Sequence, residues 1–368
     1  MSRELAVGVL GAGGTIAPAV VRDLAESDEV SSMRLLDLDI ERAERVSTEH
    51  GLGKAEARAV DARAALAGAL EGLDVLVNAA SYRVNLEAMR ASLEAGCHYL
   101  DLGGLYWLTG RQLELDDDFR RAGLVAILGI GSSPGKTNVM AARAVRELGE
   151  PVRTLDVMAA GRDLVPPAGG LSFPYALRTL VDEITMRPVV VRQGAAAETE
   201  PLAGGGAVDF GDPIGTAETI FTLHSELRTF PDSFGCQEAS FRLSLSPPLL
   251  DRLRELASAT PAEVDSAADA ALPPSPNTIS IHLVEAAGES RSVRVRAVTR
   301  PLERWSLGGG IVSTGAPAVA AVRLIARGRI DAVGVLPPER CIEPDDLFPE
   351  LEERGVAFEV EAREGVSA

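Results

Sequence analysis

The sequence predicts an α/β protein in which a doubly wound parallel sheet is accompanied by a second, mainly antiparallel α+β domain. Two patterns indicate this fold class. Short apolar runs alternate with helical patterns over the first third of the chain, and the middle holds strand-like segments with few helices between them. The length of 368 residues also suggests about two domains, at roughly 100–200 residues per domain.

The first third of the chain predicts a parallel sheet. Its apolar runs predict strands at Leu5–Leu10, 33–36, 57–60, 74–79, 98–102 and 124–130. Segments with helical periodicity lie between them, at 14–26, Ile40–His50, 62–70, Asn85–Ala95 and 113–122. This alternation of strand and helix is typical of a doubly wound sheet.

The middle of the chain predicts the second domain. Its strands are predicted at 153–160, 188–192, 218–223, 240–245, 279–285 and 293–299. The helices predicted among them are 171–184 and 248–257, and 260–277 reads as an exposed loop because it is rich in Ala, Pro and Ser. In the tail, Thr314 is predicted to cap a helix over 316–327, which a second helix over 345–354 follows.

Composition limits the possible partners. The chain has 36 Lys and Arg against 54 Asp and Glu, a formal net charge of −18, which argues against nucleic acid and anionic membranes. Cys97, Cys236 and Cys341 form no disulfide framework. With neither a signal peptide nor 18 uninterrupted apolar residues, we expect a cytoplasmic protein without a membrane span.

A glycine motif follows the first strand. The run Gly11-Ala12-Gly13-Gly14-Thr15-Ile16-Ala17 fits G-x-G-x-x-[GA] and opens the first helix. In a Rossmann domain such a loop lets the backbone approach a pyrophosphate, and the helix N-terminus offers N–H groups to the phosphates. We therefore predict a dinucleotide site formed by Gly11, Gly13, Gly14, Thr15 and Ile16; the alternative is an ordinary glycine turn.

An acidic residue in the right place suggests which dinucleotide binds. Asp37 ends the second predicted strand, 26 residues after Gly11. A carboxylate there accepts hydrogen bonds from a ribose 2′-hydroxyl and repels a 2′-phosphate, which favours NAD over NADP. The nearby Arg42 complicates this preference, and the alternative is a surface aspartate.

The end of the fourth strand is the third predicted part of the cofactor site. Asn78, Ala79 and Ser81 lie there, where small residues leave room for the nicotinamide ribose; the alternative is a plain turn. The segment 129–138 resembles a phosphate-binding P-loop, but Ile130 stands where the first glycine is needed and Pro134 removes an N–H donor.

Several segments together resemble the saccharopine dehydrogenase-like family, which includes saccharopine reductases, lysine 6-dehydrogenase and carboxynorspermidine dehydrogenase. They are VGVLGAGGTIAPAV, DVLVNAAS, CHYLDLGG, GIGSSPGKTNVMAA, PYALRTLVDEITMRP, TLHSELRTFP and STGAPAVAAVRLIARG. The resemblance implies a Rossmann domain over 1–135, an inserted α+β substrate and dimerisation domain over 136–312, and a segment over 313–368 that returns to the Rossmann domain. It also implies a homodimer.

The resemblance implies hydride transfer between a nicotinamide and a carbon bearing nitrogen, in an amino-acid or diamine substrate. Ser133-Pro134-Gly135 replaces the Asp-Pro-Gly of many saccharopine reductases, and those enzymes tend to lack an acid where this chain has Asp37. Both departures point away from saccharopine as the substrate. Lysine 6-dehydrogenases resemble this chain better at the first, because they have a small residue before Pro-Gly, so a lysine 6-dehydrogenase-like activity is the best single prediction. Ser133 is accordingly a predicted substrate-binding residue.

Three residues are predicted to handle protons. His224 lies in the family-like segment TLHSELRTFP, Asp101 ends the fifth strand, and Lys136 stands where relatives usually have an apolar residue. The alternatives are a hydrogen-bonded structural histidine, a loop-anchoring carboxylate and a solvated or salt-bridged lysine.

Substrate-binding candidates come from the second domain. A substrate carboxylate needs a cationic partner, for which Arg178 and Arg228 are candidates, and Tyr175 either lines the pocket or packs. No Cys/His cluster has the spacing of a metal site. Three alternatives to an amino-acid or imine dehydrogenase stay open: a homospermidine synthase-like enzyme using bound NAD catalytically, a non-enzymatic NAD-binding sensor, and an oxidoreductase of another substrate class, such as a hydroxy acid.

Overall fold

The protein is described here by a computed structural model, which covers residues 3–166 and 169–364. The chain divides into two compact units. The first comprises the residues up to Lys136 together with Thr314–Leu351, and the second comprises Thr137–Ser313 together with the segment from Glu352 on.

The strands of the described residues are numbered in chain order. They are β1 Leu5–Leu10, β2 Val30–Asp37, β3 Ala55–Ala59, β4 Val75–Asn78, β5 His98–Asp101, β6 Val125–Ile127, β7 Thr154–Asp163, β8 Val189–Arg192, β9 Ala195–Glu198, β10 Gly204–Asp209, β11 Thr216–Phe221, β12 Glu238–Ser244, β13 Thr278–Ala287, β14 Arg291–Thr299, β15 Gly334–Leu336 and β16 Val356–Glu364.

The helices are numbered in the same way. They are α1 Ala17–Glu26, α2 Ile40–His50, α3 Leu66–Leu70, α4 Asn85–Ala95, α5 Tyr106–Leu113, α6 Asp116–Ala122, α7 Lys136–Leu148, α8 Leu177–Thr185, α9 Glu226–Phe234, α10 Pro247–Leu256, α11 Pro261–Asp269, α12 Gly309–Ala326 and α13 Pro344–Glu352. Short 3₁₀ turns lie at Tyr82–Val84, Glu303–Trp305 and Pro338–Arg340.

The first unit contains the predicted doubly wound sheet. Its seven strands are ordered β15-β6-β5-β4-β1-β2-β3 and every neighbouring pair is parallel. The strand order reverses at β1, between β4 and β2, and ligands of open α/β sheets bind beyond the carboxyl ends of strands at such a switch point. The predicted fold class of this unit is confirmed.

Buried ion pairs attach part of the tail to the first unit. The Arg323 guanidinium of α12 donates to Asp23 of α1 at 2.8 Å and to Glu350 of α13 at 2.5 Å. Arg323 and Asp23 are almost fully shielded from solvent, so removing Arg323 would take from the buried Asp23 carboxylate the guanidinium that pairs with it. These pairs connect three helices around the sheet that carries the glycine motif.

The second unit contains a nine-stranded sheet, ordered β10-β11-β12-β7-β13-β14-β16 with β8 and β9 attached through β12. Among the described strands of this sheet only the β12–β7 pair is parallel, so the predicted mainly antiparallel domain is confirmed. The tail differs from the prediction, which returned all of 313–368 to the first domain. Instead β16 pairs with β14 along its whole length. The pairing is antiparallel and has no bulge between Thr299↔Val356 and Arg291↔Glu364.

Two helices also differ from the prediction. The predicted loop over 260–277 contains α11, whose start carries a capping box: the Thr260 hydroxyl accepts from the Glu263 N–H and the Glu263 carboxylate accepts from the Thr260 N–H. Helix α12 starts at Gly309, so Thr314 lies inside it rather than capping it. A side chain at Gly309 would bring a Cβ within 2.2 Å of the Thr299 carbonyl oxygen, so glycine permits this earlier start.

Helix α12 is the one described helix that is long and apolar enough to cross a membrane by length and composition. Of its most apolar window, 83% is buried inside the protein. Its apolar character is therefore explained by its place in the core.

Candidate functional site

The glycine motif forms a tight loop against the end of β4. Gly11 has φ +79°, and a Cβ there would lie 2.5 Å from the Ala80 backbone nitrogen. Its own N–H donates to the Leu36 carbonyl at 2.8 Å, which connects the loop to the end of β2. Glycine is therefore required at position 11 both by backbone conformation and by close approach.

The donors of this loop fit a dinucleotide pyrophosphate. The Gly14 N–H is used inside the turn, where it donates to the Gly11 carbonyl at 3.0 Å. Within the described part of the chain, the backbone N–H groups of Thr15 and Ile16 have no acceptor. They lie just before α1, where the helix dipole also favours negative charge.

Asp37 lies beside the loop, as predicted from its position. One carboxylate oxygen accepts the Gly13 N–H at 2.8 Å and the other accepts the Asp39 N–H at 2.9 Å. The guanidinium of Arg42 is paired with the Asp39 carboxylate at 3.2 Å. The uncompensated charge next to the loop is therefore that of Asp37, which suits a ribose hydroxyl better than a phosphate.

The residues after β4 divide into internal and accessible ones. The buried Asn78 amide donates to the Asn85 side chain at 2.9 Å and to the Tyr99 hydroxyl at 3.1 Å, and its oxygen accepts the Ala80 N–H. Asn78 thus shapes the turn from within. Ala79 is partly exposed and Ser81 is exposed, so these two remain candidates for cofactor contact.

The Asp101 carboxylate anchors loops. Its Oδ1 accepts the N–H groups of Gly103 at 2.9 Å and Gly129 at 2.7 Å, and its Oδ2 accepts from Gln112 at 2.7 Å and Asn85 at 3.2 Å. Burial raises the pKa of Asp101, and these hydrogen bonds counteract part of that rise. The geometry favours the loop-anchoring alternative over the predicted catalytic role, because both oxygens are used within the domain.

The segment Ser133-Pro134-Gly135 packs on the loops that Asp101 holds. A Cβ at Gly103 or Gly129 would lie 2.9 or 2.7 Å from the Pro134 ring, so both glycines are needed for this packing. Ser133 is partly exposed beside it. Its predicted contact with substrate stays a prediction.

Lys136 is buried, which rules out the solvated alternative. It begins α7, its N–H donates to the Gly131 carbonyl at 2.9 Å, and its side chain is 0% exposed. Burial lowers the pKa of Lys136 from 10.5 to about 7. A lysine in this state can act as a base or a donor near neutral pH.

His224 belongs to a buried cluster in the second unit, which we call the imidazole cluster: His224, Glu226, Glu183 and Tyr175. Its Nδ1 lies 3.2 Å from Glu226 Oε2, and its Nε2 lies 3.9 Å from Glu183 Oε2. The Tyr175 hydroxyl donates to the same Glu183 oxygen. Tyr175 therefore both packs against the neighbouring apolar cluster and donates a hydrogen bond to a buried carboxylate.

Two further contacts hold this cluster in place. The His224 ring stacks on Phe241 with centroids 3.5 Å apart and planes 18° apart. The Thr137 hydroxyl donates to Glu226 Oε1 at 3.0 Å, which fixes the carboxylate that faces Nδ1. The ring and its partner are thus both oriented by residues of the same unit.

The charges in the cluster act on each other. Burial alone would lower the pKa of His224, but Glu226 and Glu183 favour the imidazolium and raise that pKa above its ordinary value. Burial raises the pKa of Glu183, while His224 and the Tyr175 hydrogen bond lower it in part. Burial and the neighbouring Glu183 keep the pKa of Tyr175 well above its ordinary value, so its hydroxyl stays a donor.

The two predicted substrate arginines lie elsewhere. Arg178 forms a two-pronged ion pair with Asp265 and has 44% of its side chain exposed. Arg228 is also partly exposed, 3.9 Å from Asp232. Neither is brought to the imidazole cluster, because α8 and α9 turn these positions outward while they turn Glu183 and Glu226 inward.

Glu183 and Glu226 were missed from the sequence. Glu226 could have been found because it follows His224 by two residues within the family-like segment. Glu183 carries no such local signal. Within residues 3–166 and 169–364, no group of three or more His, Cys, Asp and Glu is arranged to hold a metal ion.

The sheet, the glycine loop and the acidic strand end define a Rossmann dinucleotide-binding protein with a second α+β unit. Residues 7–127 match the family described as the saccharopine dehydrogenase NADP binding domain. This match agrees with the resemblance to the saccharopine dehydrogenase-like family that the sequence segments suggested.

Relatives and structures give the extent of the similarity. Carboxyaminopropylagmatine dehydrogenase of Synechocystis sp. is 26% identical over 259 residues, which are 67% of this chain and 64% of that protein. Carboxynorspermidine synthase of Vibrio alginolyticus is 28% identical over 177 residues, 42% of each chain. The match thus spans less than two thirds of either relative.

A solved structure agrees over almost the whole chain. The apo saccharopine dehydrogenase (L-Glu forming) from Saccharomyces cerevisiae superposes with a TM-score of 0.72, covers 98% of this chain and 100% of its own, and is 14% identical. At that identity the likeness shows a shared fold.

Proposed function

We propose that the protein is an NAD(P)-dependent oxidoreductase that transfers a hydride between the nicotinamide and the carbon of a C–N bond in an amino acid or its imine. The observation that carries this proposal is the glycine loop with Asp37 beside it, in a chain whose residues 7–127 match the saccharopine dehydrogenase NADP binding domain.

The cofactor would be held by the first unit. The N–H groups of Thr15 and Ile16 would bind the pyrophosphate, Gly11 and Gly13 allow the backbone to approach it, and Asp37 would accept from the adenosine ribose. When bound, the nicotinamide supplies hydride chemistry, while the protein orients the substrate, excludes water and handles protons.

We further propose that NAD is preferred. The family description names NADP, so the choice rests on residues of this chain. The Asp37 carboxylate would repel a 2′-phosphate, and Arg42, which could attract one, is paired with Asp39. A homodimer stays a prediction of the family resemblance.

The substrate is proposed to be an amine derived from an amino acid. Sequence departures favour lysine oxidised at its ε-carbon. The names of the relatives add carboxylated polyamines, and that of the yeast structure adds saccharopine. These compounds share an amine nitrogen next to the carbon that would lose a hydride.

A screen of nicotinamide absorbance tests the proposal. The protein is incubated with NAD or NADP and, in turn, lysine, saccharopine, ornithine, carboxynorspermidine and carboxyaminopropylagmatine. Steady NADH formation with one of them is expected. Product without net NADH would instead support a synthase that uses bound NAD catalytically, and tight NAD binding with no turnover would support a sensor.

A further inference from the structure

One partly buried arginine of the second unit has no acidic partner among the described residues. Arg162 lies near the end of β7, and its guanidinium is bonded by oxygens that carry no charge. The two arginines predicted to bind a substrate carboxylate differ from it, because Arg178 lies against Asp265 and Arg228 lies against Asp232. A guanidinium that is partly removed from water without an acid beside it is a candidate for binding an anionic group.

Neutral oxygens hold one edge of this guanidinium. Nη1 donates to the Gly161 carbonyl at 2.7 Å and to the Ser244 carbonyl at 3.1 Å, and Nη2 donates to the Ser244 hydroxyl at 2.8 Å. Ser244 ends β12 and is 0% exposed, so the support comes from inside the sheet. These bonds orient the Arg162 side chain and leave its charge uncompensated.

The other edge of the guanidinium keeps two donors together. A guanidinium has five N–H groups in one plane, and Gly161 and Ser244 accept from three of those of Arg162. Because Ser244 takes one proton from each Nη, the two that remain are on Nε and Nη2 and point the same way. Arg178 uses this same edge for its two-pronged pair with Asp265.

Solvent reaches the edge that holds these two donors. Arg162 is partly exposed. In the described part of the chain, the nitrogens that are shielded from solvent and lack an acceptor include Nε of Arg242 and Nε of Arg291, but Nε of Arg162 is not one of them. A ligand can therefore approach Arg162 from the side of Nε.

The neighbours of Arg162 within the sheet do not neutralise it. Asp163 follows it in β7, where successive side chains point to opposite faces, and Asp163 Oδ1 accepts the Val165 N–H at 3.0 Å. The residue paired with Arg162 across the ladder is the apolar Ile279 of β13. Burial lowers the pKa of Arg162, but a guanidinium stays protonated at neutral pH.

We propose that the second unit binds a carboxylate-bearing ligand at Arg162, with Nε and Nη2 donating to the two carboxylate oxygens while Ser244 holds the guanidinium in place. The planar fork of arginine matches the geometry of a carboxylate. The inference goes beyond the proposed function, because binding at Arg162 requires neither a nicotinamide nor hydride transfer. Amino acids carry the required group and serve as probes.

Calorimetric titration of the full chain, without nicotinamide, tests the proposal. The probes are L-lysine, L-ornithine and saccharopine, together with cadaverine and putrescine, which are lysine and ornithine without their carboxylate. We expect the wild type to bind lysine or ornithine about tenfold or more tightly than the matching diamine. Arg162→Gln should weaken binding of the carboxylates about 10- to 100-fold, because a charge-assisted pair of hydrogen bonds is lost, and should leave diamine binding unchanged.

Two further variants control for charge and folding. Arg162→Lys keeps the positive charge but lacks the fork, so it should weaken binding less, by about threefold to tenfold. Arg192→Gln removes an arginine of the same unit that pairs with Glu238 on the surface, and it should bind as the wild type does. Urea unfolding checks that each variant is folded. Should Arg162→Gln not fold, Arg162→Lys carries the comparison, since it keeps a donor for Ser244.

NMR of protein that contains isotope-labelled arginine gives a readout that a merely structural role would not move. The Nε–H cross-peak that is lost in Arg162→Lys identifies Arg162. This cross-peak should shift when a bound amino acid is added and stay in place when the matching diamine is added. A cross-peak that does not move on binding, or an affinity in Arg162→Gln equal to that of the wild type, would overturn the proposal.

The remaining outcomes separate this proposal from the proposed function. If the wild type binds none of the carboxylates with a Kd of about 1 mM or tighter, the carboxylate site is wrong. If binding depends on Arg162 and no amine is oxidised, the proposed function fails and the carboxylate site stands. If an amine is oxidised and binding does not depend on Arg162, only the carboxylate site fails.

Discussion

Both units bury carboxylates, and their neighbours differ. In the first unit, Asp101 is bonded by backbone and amide N–H groups and by the Tyr99 hydroxyl, and none of these partners is an imidazole. In the second, Glu183 and Glu226 face the two nitrogens of an imidazole. Burial alone therefore does not distinguish a structural acid from a chemical one; the imidazole beside the carboxylate does.

The comparison predicts that replacing a carboxylate by its amide affects mainly stability at Asp101 and mainly the chemistry at Glu226. Asn at position 101 would turn an amide group toward the donors of Gln112 and Asn85 and leave them unpaired. We expect Asp101→Asn to lower the free energy of unfolding by about 3 kcal/mol. Urea unfolding measures this loss, with the surface Asp118→Asn as a control that should change it by about 0.5 kcal/mol or less.

Urea unfolding of Glu226→Gln extends the comparison. In this variant the pH dependence of kcat should change more than the free energy of unfolding. An Asp101→Asn variant that is as stable as the wild type but has a displaced pH dependence of kcat would contradict the structural role that we assign to Asp101.

Lys136 offers a third case, in which burial is the cause that lowers the pKa of the side chain. Its pKa falls from 10.5 unfolded to about 7 folded, so the unfolded state binds more protons between those values. The stability of the wild type should therefore rise with pH across that window. Below pH 7 the full cost of the buried charge is present.

Lys136→Met should remove that cost and flatten the pH dependence. The shift corresponds to roughly 5 kcal/mol, and the lost lysine contacts reduce the expected gain at pH 7 to about 2–3 kcal/mol. Unfolding curves at several pH values measure it, with Lys54→Met as the matched control. Loss of turnover in Lys136→Met alone would make this lysine part of the catalytic machinery; an unchanged pH dependence would contradict its buried state.

Rigid packing in the first unit can be tested at its glycines. Gly11 and Gly72 both have positive φ, but a Cβ at Gly11 meets Ala80 whereas a Cβ at Gly72 meets nothing within 4 Å. Alanine at either position strains the backbone by about 1 kcal/mol. We expect Gly11→Ala to cost about 2 kcal/mol more than Gly72→Ala and to abolish NAD binding, as unfolding curves and calorimetric titration would show.

Sequence patterns predicted those helices and strands whose bounds are set by residues close together in the chain. β1, α2 and α4 have the predicted bounds, because their periodicity is strong and glycines end them. The start of α11 was missed although Thr260 and Glu263 signal it, since the composition of the segment resembles a loop.

Contacts between segments far apart in the chain could not be predicted from the sequence. The partner of His224 on α8 is Glu183, 41 residues earlier in the chain, and nothing local marks it. Arg178 was a plausible carboxylate ligand until the fold brought Asp265 to it. The Asp101 role was open for the same reason, because its donors come from four separate segments.

The smallest expected effect concerns Asp37, the partly exposed carboxylate beside the glycine loop. It should affect the choice between NAD and NADP more than the free energy of unfolding. Asp37→Ala removes the charge next to Gly13 and the repulsion of a 2′-phosphate. We expect the Kd for NAD to rise about tenfold, or about 1.4 kcal/mol, and the discrimination against NADP to fall by a similar factor. Fluorescence titration with NADH and NADPH measures both, and Asp39→Ala, which instead frees Arg42, should favour NADPH without weakening NADH. If Asp37→Ala left the preference intact, the ribose contact would have to come from another residue of the loop.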